Sequence, residues 1–139
     1  MNLTKAASCA YFLLRVVAGL MFFQHGSMKV LGWFGGVPPE HGGQPELFSQ
    51  AGIGGLLELV GGLLVMLGLF TRPAAFLVSG EMAVAYFQFH QPNAFWPILN
   101  GGEPAVLYCF IFLLIAAQGG GEWSLDAWLR RRRGASPGT

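Results

Sequence analysis

The sequence predicts an all-α fold: a four-helix transmembrane bundle with both termini in the cytoplasm and a short C-terminal helix at the membrane interface. Three observations predict it. Apolar residues make up 53% of the 139 residues and charged ones only 11%, against roughly 25% charged in soluble domains. Four apolar stretches recur, each near the length that crosses a bilayer. The cations between them gather on one side. A soluble fold this small needs polar groups over most of its surface, and a mean hydropathy of +0.51 leaves few for that purpose. The expected solvent is lipid.

The whole chain reads as one domain, with helices expected over about residues 7–31, 52–70, 73–89 and 104–118 and a basic tail over 122–139. Lys5 precedes the first stretch, but Arg15 interrupts it and no A-x-A cleavage site follows, so it is expected to be a retained helix rather than a signal peptide. Trp33 to Gln50 is rich in Gly and Pro and reads as a long loop. Its apolar Trp33, Phe34, Leu47 and Phe48 suggest that it folds partly back onto the bundle.

In the second stretch, Gly54, Glu58, Gly61, Val65 and Gly68 recur at three- and four-residue steps, a small-residue face that lets another helix approach closely. Thr71-Arg72-Pro73 is a tight turn that makes the second and third helices antiparallel neighbours. The fourth opens with Glu103-Pro104, an acid and a proline suited to a helix start. Gly119-Gly120-Gly121 then breaks the chain, and Ser124 can cap a short helix over about 125–132 anchored by Trp123, Trp128 and the leucines.

Lys5, Arg72 and the block Arg130 to Arg133 fall on one side, Lys29, Glu40, Glu46 and Glu103 on the other, which puts both termini in the cytoplasm. The arginine block reads as a lipid-facing tail, and a net charge of +1 implies no nucleic-acid partner. Cys9 and Cys109 are expected at different depths, too far apart for a disulfide.

Arg15, Glu58 and Glu81 fall inside the apolar stretches, where an ionised side chain costs about 2.5–3.5 kcal/mol if it meets lipid. Counted from the cytoplasmic ends, Arg15 and Glu81 lie at similar depth and Glu58 about one turn further out, so all three are expected to converge in the bundle, the guanidinium bridging the carboxylates. One cation against two carboxylates leaves a surplus negative charge, which makes Glu58 or Glu81 a candidate proton carrier. The same cluster could equally do no more than fix helix register.

Arg15, Gly19, Phe22, Gly26 and Lys29 continue this face outward, with His25 alongside. Lys29 can snorkel to the outer headgroups or bind a ligand, and His25 can donate to a bound carbonyl or satisfy the backbone. Trp33 and Trp96 are interface anchors or, with neighbouring phenylalanines, an apolar wall for a flat ring such as a quinone. No metal motif or nucleotide fingerprint is present, so no cofactor is encoded by motif. A haem between His25 and His90 is conceivable, but no spacing demands it.

At these residues the sequence resembles the DoxX family of small bacterial membrane proteins. The pattern is Arg15-x3-Gly19-x2-Phe22-x2-His25-Gly26-x2-Lys29, then Glu58-x2-Gly61-Gly62-x5-Gly68-Leu69-x-Thr71-Arg72, then Ser124-Leu125-Asp126 after a glycine run. The resemblance implies a multi-pass protein of the bacterial inner membrane, a quinone-linked oxidoreductase subunit or a member of a redox-stress complex. It implies functional positions at Arg15, His25, Lys29 and Glu58 and structural ones at Arg72, Gly61 and Gly62. Glu81 rests on the burial argument.

Two readings follow. In the first, Arg15, Glu58 and Glu81 form a catalytic cluster, His25, Lys29, Trp33 and Trp96 hold a quinone, and electrons come from a soluble or membrane partner subunit. In the second, the chain is a non-enzymatic scaffold or small-solute carrier, the glycine face of the second helix docking another helix. Either is compatible with a homo-oligomer.

Overall fold

The computed structural model describes residues 3–134 and is all-α. Its six α-helices are α1 (Leu3–Leu31), α2 (Gln50–Leu67), α3 (Thr71–Ala85), α4 (Pro97–Asn100), α5 (Glu103–Gln118) and α6 (Leu125–Gly134). Residues 135–139 of the expected tail lie outside the described residues.

The expectation of four transmembrane helices is corrected. Among the described residues only two helices are long and apolar enough to cross a membrane, Thr4–Leu31 and Gln50–Leu67. The α3 helix stops after 15 residues and widens into a π-helical turn over Tyr86–His90. Gly102 and Gly119 delimit the 16 residues of α5. At 1.5 Å per residue these helices span roughly 22 and 24 Å, short of a hydrocarbon core of about 30 Å.

What places the molecule in lipid is the outward face of its helices. Leu13, Val17, Val60, Leu67, Phe76, Leu77, Leu107 and Phe110 are all exposed, an apolar surface far larger than a soluble monomer carries. The core beneath is small-residue packing closed by aromatics: Ala18, Phe22, Val65, Ala74, Ala75, Val78, Phe112 and Ile115.

Two glycine seams set the helix positions. On the first, Gly19 and Gly26 of α1 lie directly against α2. A Cβ on Gly19 would stand 2.5 Å from the Met66 nitrogen and 2.8 Å from the Gly62 oxygen, and one on Gly26 would strike the Leu59 backbone. Gly62 meets Phe23 and Gly19 in return. On the second seam, the expected stripe on α2 faces α3: Gly61 against the Val78 side chain and Gly54 against the Glu81 carboxylate. The stripe that could have docked a foreign helix is used within the chain.

The turn between α2 and α3 is strained. Gly68 takes the left-handed conformation that closes α2, and Phe70 does the same with φ 46°, a region costly for a residue with a Cβ. The long loop does fold back, but through Gln44, whose amide donates to the carbonyls of Met28 and Lys29. Phe34 and Phe48 stay exposed. Ser124 caps α6 as expected, accepting from the Ala127 N–H at 3.1 Å.

Candidate functional site

The α1 helix delivers its two inner cations to opposite ends of the bundle. Arg15 and Lys29 lie on nearly the same face, about 21 Å apart along the axis. The glycine seam sets α1 and α2 antiparallel, Gly19 beside Gly62 and Met66, Gly26 beside Gly55 and Leu59. Arg15 therefore meets the C-terminus of α2, and Lys29 meets Glu58.

At the first end Arg15 is buried, 1% exposed. Its guanidinium donates to the carbonyls of Val65, Met66 and Trp123, each at 2.7 Å. A cation at a helix C-terminus satisfies carbonyls that have no partner within the helix and opposes the negative end of the dipole. The Asp126 carboxylate does the converse for α3, accepting from the Phe70 N–H (2.9 Å), the Thr71 N–H (3.0 Å) and the Thr71 hydroxyl (2.7 Å). Burial pushes the Asp126 carboxyl up, but those hydrogen bonds outweigh it and hold the group below the usual aspartate range. Arg72 caps α5 through the carbonyls of Ala116, Ala117 and Gln118, and the Tyr11 hydroxyl donates to Gly119 at 2.6 Å.

At the second end the Lys29 ammonium pairs with Glu58 Oε1 at 2.8 Å, the carboxylate almost fully buried and the lysine partly so. The second oxygens, Glu58 Oε2 and Glu81 Oε2, are buried without a hydrogen-bond partner. Both residues line a cleft of about 560 Å³ with Lys29, His25, His90 and Tyr108, walled by Phe22, Leu57, Leu77 and Phe89. A volume of that size suits a small ring ligand, and a few convergent polar groups in apolar walls are the usual make-up of a ligand site.

The structure thus brings Glu58 and Glu81 together but corrects the expected cation. Arg15 is not in the cleft, and Lys29 stands in its place. Counting depth from loosely bounded helix ends misjudged the register that the glycine seam imposes. His25 lines the cleft as an exposed residue at its mouth. Trp33 and Trp96 do not line it: both are exposed, edge-on to Phe23 and Phe95. Arg72, Gly61 and Gly62 hold the packing positions described above.

Sequence reasoning missed Tyr108, which closes the cleft against Phe22, and the seat of Asp126 on the α2–α3 turn. The Asp126 seat was signalled only by its place after Ser124, and Tyr108 carried no signal in a uniformly apolar helix. His90 lies in the cleft with Nδ1 3.1 Å from the Asn100 carbonyl. Among the described residues no three His, Cys, Asp or Glu side chains gather as a metal site.

Residues 10–91 match the DoxX family model. The chain is also similar to an uncharacterized protein of Haemophilus influenzae, 45% identical over 123 residues covering 84% of this chain and 89% of the relative. A second relative is an uncharacterized membrane protein of Mycobacterium tuberculosis, 32% identical over 133 residues, 86% of this chain and 80% of the relative. No solved structure matches. With two apolar spans, a lipid-suited surface and a buried Lys29–Glu58 pair on the Gly-lined α1–α2 seam, the chain belongs to the DoxX family of membrane proteins.

Proposed function

We propose that this protein is the membrane subunit of a quinone-linked oxidoreductase or redox-stress complex, multi-pass in the bacterial inner membrane, and that the cleft at Lys29, Glu58 and Glu81 receives the quinone ring. The observation that carries this reading is the pair of buried, unpartnered carboxylate oxygens on residues lining an apolar cleft. A buried acceptor without a donor costs about 1–3 kcal/mol, a cost that a proton taken up by the carboxyl, or the hydroxyl donors of the quinol product, would relieve.

Reduction of a quinone to its quinol takes two electrons and two protons. The electrons come from a partner oxidoreductase subunit, soluble or membrane-bound. This chain's part is proton delivery and positioning. Lys29 and His25 present donors to a carbonyl oxygen, while Glu58 and Glu81, two carboxyls beside one ammonium, hold and pass the proton. Arg15, expected in that cluster, instead secures the opposite end of the fold.

The test is quinone binding to the purified protein in detergent, followed by the quenching of its tryptophan fluorescence, and quinol formation when it is co-purified with its partner. Glu58→Gln is expected to leave the fold intact and to abolish proton-coupled turnover. Absence of quinone binding, together with indifference of turnover to Glu58→Gln, sinks the reading.

A further inference from the structure

We infer that the ligand of the cleft carries a hydrocarbon chain, and that the chain lies in the groove between α1 and α5. This deepens the reading above and rests on it. The groove, about 690 Å³, is lined by Leu13, Leu14, Val17 and Met21 of α1 and Leu107 and Ile111 of α5, among other apolar residues. Two residues, Pro104 and Tyr108, line both the groove and the cleft, so the two spaces meet along one wall.

The chemistry changes sharply at that wall. The cleft holds the Lys29 ammonium and the carboxylates of Glu58 and Glu81, whereas, apart from the Tyr108 hydroxyl at the shared wall, the α1 and α5 side chains that line the groove offer only hydrocarbon and the Met21 thioether. Contiguous polar and wholly apolar spaces fit an amphiphile, with a ring or other polar head inside and a single chain leading out to lipid. A ligand without a chain would leave the groove to bulk acyl chains. One with a chain gains dispersion contacts along both helices and a fixed direction of entry.

Tyr108 stands as the partition. Its hydroxyl donates to the Met21 sulfur at 3.2 Å across the groove, and its ring meets Phe22 edge-on at 4.8 Å. A thioether is a weak acceptor, so the ring is positioned chiefly by its packing on Phe22 and Phe112. Beyond the Tyr108 ring the groove stays open, for α1 and α5 touch far less than α1 and α2 do.

The experiment compares two probes on the detergent-purified full chain: a methyl-substituted benzoquinone without a chain, and the same ring bearing a ten-carbon chain. Val17→Trp fills the groove from an exposed position outside the cleft. It is expected to weaken binding of the chain-bearing probe about tenfold by steric exclusion while leaving the chainless probe within about twofold. Comparing the two proteins for each probe cancels partitioning into detergent. As a check independent of that variant, a photoreactive group at the chain end should label peptides containing Leu13 to Val17 or Leu107 to Ile111 of the unaltered protein. Equal effects of Val17→Trp on both probes, or label spread over the whole lipid-facing surface, overturns the inference and leaves the cleft reading standing. Failure of the chainless probe to bind at all overturns both.

Discussion

The end of the bundle that holds Arg15 and the end that holds Lys29 are built from the same materials, a cation on one face of α1 with carboxylates nearby, yet they are finished differently. Around Arg15 most polar groups have partners: three carbonyls take the guanidinium, two backbone N–H groups and a hydroxyl take Asp126, and among the buried side-chain atoms of the described residues only the Arg15 Nε is left over at this end. Around Lys29 one ion pair forms, and two carboxylate oxygens stay bare beside a cleft. A buried network with its partners made is a structural joint, whereas the two bare acceptors at the Lys29 end are the ground on which the cleft is proposed as a ligand site. On that proposal buried charge has two uses here, and burial alone does not separate them. Hydrogen-bond completion does.

The contrast is broken most directly at Arg15. Arg15→Met removes donors from three carbonyls on two segments and is expected to lower stability by about 4 kcal/mol, read as thermal or denaturant unfolding in detergent. Arg15→Lys should recover little, because an ammonium cannot span Val65, Met66 and Trp123 as a planar fork does. A loss below about 1 kcal/mol for Arg15→Met would show that the joint is not one.

At the other end Lys29→Met leaves the Glu58 carboxylate buried without its cation and is expected to cost about 3 kcal/mol. Adding Glu58→Gln removes the stranded charge, so the double variant should return to within about 1 kcal/mol of the parent while failing to support quinone turnover. A double variant no more stable than Lys29→Met alone would mean that the pair is not coupled.

The glycine seam ties the two ends together. Gly62→Ala would drive a methyl into the backbone of Phe23 and Gly19, and parting the helices should cost about 2 kcal/mol. Because the same seam sets where Arg15 and Lys29 arrive, the variant should weaken both thermal stability and quinone binding. Loss of one with the other intact would show that the ends are positioned independently.

How far the sequence carried this picture follows from which interactions are local. The α1 face from Arg15 to Lys29 and the Ser124 cap were legible because each is set by residues within a few positions. So was a tight connection between the second and third helices, although it lies at Gly68–Phe70 while Thr71-Arg72-Pro73 opens α3. The meeting of Glu58 with Glu81 was legible too, since a tight turn fixes the register of the two helices that carry them. Which cation joins them was not legible, because it depends on the α1–α2 register across a long loop, and that register is set by Gly19, Gly26 and Gly62 touching backbone to backbone. The number of spans was misread because the short apolar stretch over 104–118 was counted as a span and because the third helix, expected to residue 89, gives way to a widened turn after Ala85.

The smallest expected effect tests the closed end through pH. Asp126 sits on the turn where Phe70 holds a strained φ, and its carboxyl lies below the usual aspartate range because Thr71 and Phe70 donate to its charged form. A group whose folded pKa is depressed adds stability above its unfolded pKa, and that stability is lost as pH falls from there through the folded value. Stability should therefore decline on the acid side of the ordinary aspartate range, near 3.8. Asp126→Asn should flatten that part of the decline and lower stability at neutral pH by about 1 kcal/mol, the loss typical of a helix N-cap carboxylate. The Lys29 end supplies the control: Glu58→Gln should leave the contribution of Asp126 to the acid limb in place. If Asp126→Asn and the parent protein lose stability in parallel as pH falls, the carboxylate is not what fastens α6 to the α2–α3 turn, and the closed end is held by its other bonds, those of Arg15, Arg72, Tyr11 and the Asp126 backbone N–H to the Gly68 carbonyl.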